Sequence, residues 1–92
     1  GSTLSPSQHQ ISQNIAAMST DAINRICNLS GAKEFRVIQN DCVIPGTMSC
    51  HRKKINKPYI LLETTGQNDI QPLRLRMLQG YVFLQVCFLF FK

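Results

Sequence analysis

The chain has no tryptophan and only two tyrosines among its 92 residues. Acidic residues are scarce and scattered: Asp21, Glu34, Asp41, Glu63 and Asp69 each stand alone. No neighbouring carboxylates are available to share acid–base work on a substrate. Gly31, Gly46, Gly66 and Gly80 also sit singly, each where a structural element should end. No Gly-rich phosphate loop, dinucleotide fingerprint or serine nucleophile elbow occurs. These absences, in so short a chain, predict that the protein is not an enzyme and has no small-molecule substrate.

Cysteine is present but not in metal-binding or redox order. Cys27, Cys42, Cys50 and Cys87 include no C-x-x-C pair. Cys50-His51 is the one place where two ligand types adjoin, yet a zinc site needs four ligands at local spacings. Adjacent Cys and His in a loop also seldom meet productively as a nucleophile and its base. The expectation is therefore no metal and no cofactor. Three of the four cysteines lie in apolar surroundings, where a free thiol behaves as a small hydrophobe. Reduced thiols imply an intracellular protein, nuclear or cytoplasmic. A secreted disulfide domain is the alternative, and four cysteines would allow three pairings. No secretory signal is visible. Gly1-Ser2 resembles an expression remnant, which would fit a domain excised from a longer protein.

Charge is low and of one predominant sign. Charged residues make up 16% of the chain, and ten Lys and Arg face five Asp and Glu, for a net charge of +5. Such a surplus favours anionic partners. Arg52, Lys53, Lys54 and Lys57 cluster in a loop-like stretch, TMSCHRKKINK, and are the candidate polyanion-binding residues. Arg74 and Arg76 would extend that patch from one face of a strand. Cations grouped in this way contact several phosphates at once and bind in a salt-dependent manner. Interleaved basic and aromatic side chains, as on an RNA-recognition sheet, are missing.

Hydrophobic residues reach 43%, enough for a core and too many for a disordered chain. Residues 1–8 are small and polar around one proline and read as a flexible entry to a single domain over 9–92. From His9 to Leu29 the apolar positions Ile11, Ile15, Met18, Ala22, Ile26 and Leu29 recur at steps of three and four, one face of a helix. Ser19-Thr20 would allow that helix to break in two. Ser5 or Ser7 is its expected N-cap, and Gly31 its left-handed stop. Strands are expected at 34–39, near 41–44 and at 59–64, from their β-branched and aromatic content.

The closing stretch, LRLRMLQGYVFLQVCFLFFK, alternates between Leu73 and Met77 and then becomes apolar on both sides. It reads as two strands around Gly80. A helix over 72–91, begun at Pro72, is the competing reading. Gly80 and the Val, Phe and Tyr content favour strands. The last strand, from Tyr81 to Phe91, is too short to span a bilayer, which takes about 20 apolar residues. The predicted fold is thus α+β: an N-terminal amphipathic helix, or two short ones, packed on an antiparallel meander of about four strands. One face of the last strand, with Tyr81, Phe83, Leu89 and Phe91, then lacks a cover. Those four residues are the candidate partner-binding site, for another protein or a second copy of the chain. A protein-interaction domain is the leading functional expectation. DNA or RNA binding through the six basic residues is the alternative.

Overall fold

The computed structural model describes residues 2–39, 58–64 and 71–91. Among these residues the order is β1 (Thr3–Pro6), α1 (Gln10–Ile26), a 3-10 turn (Gly31–Lys33), β2 (Arg36–Val37), β3 (Ile60–Glu63) and α2 (Leu73–Phe90). The fold is α+β, with two helices and a small mixed sheet. The strand expected near 41–44 lies outside the described residues.

The sheet order is β2-β1-β3. β1 runs parallel to β2, pairing Thr3 with Arg36 and Leu4 with Val37. It runs antiparallel to β3, pairing Leu4 with Leu62 and Pro6 with Ile60. Parallel neighbours need a long crossover, and the 17-residue α1 supplies it. The segment expected to be a flexible entry is thus the central strand. Its proline is tolerated for a local reason. The Ser7 N–H points to Tyr59 O, at 2.7 Å, so by alternation the Pro6 nitrogen faces the β2 side. Pairing with β2 ends at Leu4, so Pro6 lies past the last ladder pair on that side.

α1 is one unbroken helix. Its N-cap is His9, whose Nδ1 accepts from the Ile11 N–H at 3.3 Å, instead of Ser5 or Ser7. Ser7 has another task. The Tyr59 N–H donates to both Ser7 Oγ (3.1 Å) and Ser12 Oγ (3.0 Å), which joins β1, α1 and the start of β3. The helix ends in a Schellman motif. The Leu29 N–H reaches Asn24 O at 2.9 Å, and the Asn28 N–H reaches Arg25 O at 3.3 Å. Asn28 takes the left-handed position, φ 55°, expected of Gly31. Gly31 uses its own positive φ of 62° to open the 3-10 turn.

The buried face of α1 is Ser12, Ile15, Ala16, Ser19 and Ile23. It is rotated away from the expected apolar stripe and leaves Met18 and Ile26 exposed. Small side chains at Ser12, Ala16 and Ser19 let neighbouring backbone approach closely. The core cluster is Leu4, Ala16, Ile23, Phe35 and Val82, with Leu29, Ile60, Leu62 and Phe83 packed around it.

The largest correction concerns the closing stretch. Leu73–Phe90 is a continuous helix, not two strands, so the antiparallel meander is not formed. Five alternating residues fit either period, and Leu, Arg, Met and Gln are good helix formers. Gly80 costs a helix interior only about 1 kcal/mol, and the helix carries it within an 18-residue run.

Candidate protein-docking face

The buried positions of α2 are Gln79, Val82 and Val86. Val82 enters the core cluster. Gln79 is fully buried, and its Nε2 donates to Gln71 Oε1 at 2.7 Å. Gln71 is itself buried and donates to Ser2 Oγ and Thr64 O, both at 2.6 Å. This chain of amides anchors the helix to the residue before β1 and the residue after β3. Gln79 Oε1 is buried without a hydrogen-bond partner among the described residues.

The opposite face of α2 is apolar and bare. Leu73, Met77, Tyr81, Leu84 and Phe88, with Phe91 just past the helix, are 54% to 66% exposed. Successive steps from Met77 are four, three, four and three, which places these side chains in one narrow stripe. Leu78 and Leu89 flank it, both exposed. Beside them α1 contributes Ile26 and Ala22, and the two helices enclose a groove of about 350 Å³. Gln85 is the polar residue among its lining side chains. On the other flank a smaller hollow of about 190 Å³ is lined by Tyr59, Ile60, Phe83, Cys87 and Phe91.

Three of the four expected partner-binding residues, Tyr81, Leu89 and Phe91, lie on exposed surface. Phe83 does not. It is half-buried and packs against the core cluster. Met77, Leu84, Phe88 and the α1 residue Ile26 belong to the face although the sequence reading omits them. Their signal is the four-three spacing, which a strand reading discards.

The basic residues fare differently. Arg52, Lys53, Lys54 and Lys57 lie outside the described residues. A strand would aim Arg74 and Arg76 to one side, but two positions on a helix are about 200° apart. Arg74 is exposed, whereas Arg76 is half-buried with its Nε unpartnered among the described residues. The two do not form one surface.

Among the described residues no three His, Cys, Asp or Glu side chains gather as a metal site. Cys27 and Cys87 are free thiols, and burial pushes both up from the ordinary thiol pKa. α2 also has the length and apolarity of a minimal membrane span, with mean hydropathy 1.2 over 18 residues. At 1.5 Å per residue it would cover about 27 Å of a hydrocarbon core about 30 Å thick. Comparison with protein-family models, with curated proteins and with solved structures finds no match to this chain.

Proposed function

We propose that this chain is a non-enzymatic interaction domain that receives an apolar helical segment of a protein partner on the outer face of α2 and in the α1–α2 groove. One observation carries the proposal: the uncharged stripe Leu73, Met77, Tyr81, Leu84, Phe88 and Phe91, continuous with a concave apolar groove. Soluble monomers rarely leave contiguous apolar patches of this size uncovered. Groove docking reads a helix through anchors spaced three and four residues apart, and the stripe has that spacing. A protein segment suits the concavity better than a bilayer, whose surface cannot fill a groove between two helices.

A photoreactive benzoyl-phenylalanine in place of Phe88, introduced in the protein's native cells, tests this. A discrete protein adduct is expected, and it should disappear when Leu78 and Leu89 are both changed to Glu. The same probe at the exposed polar position Gln10 should give none. Lipid adducts alone, or identical adducts from Phe88 and Gln10, would overturn the proposal.

A further inference from the structure

We infer that the partner helix is α2 of a second copy, packed antiparallel about a two-fold axis beside Leu84. The inference rests on the docking function proposed above and adds the identity of the occupant of the outer face of α2.

Two features of the face point to a second copy. The first is its area. Leu73, Met77, Tyr81, Leu84, Phe88 and Phe91 form the stripe and are all exposed. At about 200 Å² for a whole side chain of this size, they present roughly 700 Å². A standard interface takes about 800 Å² from each partner, so one face comes close to one half of a dimer.

The second is self-complementarity. The stripe Met77, Tyr81, Leu84, Phe88 and Phe91 is centred on Leu84. Reversing it about that residue sets Leu84 against Leu84 of the second copy. Tyr81 then meets Phe88, and Met77 meets Phe91. The same patch serves on both copies, as an isologous interface requires. The stripe carries no charged residue, so two chains of net charge +5 can meet there without like-charge contact.

Light scattering coupled to gel filtration on the full chain, across about a hundredfold range of concentration, provides the first test. A dimer is expected, and Leu84→Glu should weaken it by at least about tenfold in Kd while leaving the helical circular dichroism unchanged. A dimer unaffected by Leu84→Glu would overturn the inference. Cysteine scanning in a background with the four native cysteines replaced by Ala fixes the orientation. Leu84→Cys should oxidise to a cross-linked dimer, and Met77→Cys should not. Equal cross-linking of both would mean a parallel pair and overturn the antiparallel assignment. A monomer at every concentration would overturn self-pairing itself. The docking function would then stand or fall separately, on whether the Phe88 probe captures a different protein.

Discussion

The side-chain amide of Asn24 makes both hydrogen bonds with the backbone of Phe35. Its Oδ1 accepts from the Phe35 N–H at 2.7 Å, and its Nδ2 donates to the Phe35 carbonyl at 3.1 Å. A residue of α1 thereby acts as the strand neighbour that this peptide lacks. Asn24 also gives its own carbonyl to the Schellman cap, so one residue both ends the helix and fixes the start of β2. The result is Phe35 held in the core at 1% exposure.

Asn24→Ala should therefore destabilise the domain by about 1–3 kcal/mol, because it leaves a donor and an acceptor unpaired beside a buried ring. Asn24→Asp should not rescue it, since a carboxylate would face the Phe35 carbonyl with no donor. Urea unfolding monitored by circular dichroism measures both. A wild-type midpoint for Asn24→Asp would show that the two-bond arrangement contributes little.

Gln71 is the second connection between distant parts of the chain. It donates to Ser2 Oγ and Thr64 O and accepts from Gln79, which joins β1, the end of β3 and α2. Gln71→Ala removes all three bonds and strands Gln79 inside the fold. A loss of about 2–4 kcal/mol is expected, larger than for a typical surface substitution. Fluorescence or circular dichroism unfolding in urea would read it. A change below about 0.5 kcal/mol, the range of ordinary surface substitutions, would mean that α2 is held without this network.

Elements with a clean period are legible in the sequence, and those without one are hidden. α1 is legible because its apolar positions repeat at three and four residues, and β3 because Tyr59-Ile60-Leu61-Leu62 is a short apolar run after a proline. β1 is not. Thr3, Ser5 and Pro6 form no β-branched or aromatic run, and the segment is a strand because β2 and β3 pair with it from about 30 and more residues away. α2 resembles strands because residues 73–77 alternate and residues 81–91 are almost wholly apolar, so neither period stands out. The exposed apolar face of α2 is obscured with it. Tyr81, Leu89 and Phe91 are identifiable from sequence as apolar residues without a cover. Phe83, grouped with them by strand alternation, turns inward once the period becomes 3.6.

Gly80 offers a direct probe of that helix. A Cβ added there meets nothing within 4 Å, and the residue does not need a positive φ. Gly80→Ala should stabilise the protein by about 0.5–1 kcal/mol, by lowering the entropy of the unfolded chain and raising helix propensity. A turn between two strands would instead be disrupted by the same change. Thermal unfolding of Gly80→Ala should give a higher Tm. A lower one would count against the continuous helix.

The thiols of Cys27 and Cys87 make the stability of the domain depend on alkaline pH. Burial raises the pKa of Cys27, and it raises that of Cys87 more than a backbone hydrogen bond lowers it. The folded state thus holds these protons to higher pH than the unfolded state does. Below the ordinary thiol pKa both states are protonated, and the full stability is present. As pH rises past that value the unfolded chain ionises first, and stability falls until the folded thiols ionise too. Alkylation of Cys27 and Cys87 by iodoacetamide should accordingly be slower than that of a free thiol at neutral pH, because the thiolate is the reactive form. The urea midpoint should decline between neutral pH and about pH 10, and the decline should be shallower in a Cys27→Ala, Cys87→Ala double variant. Identical slopes for the double variant and the native chain would remove the thiols as the cause.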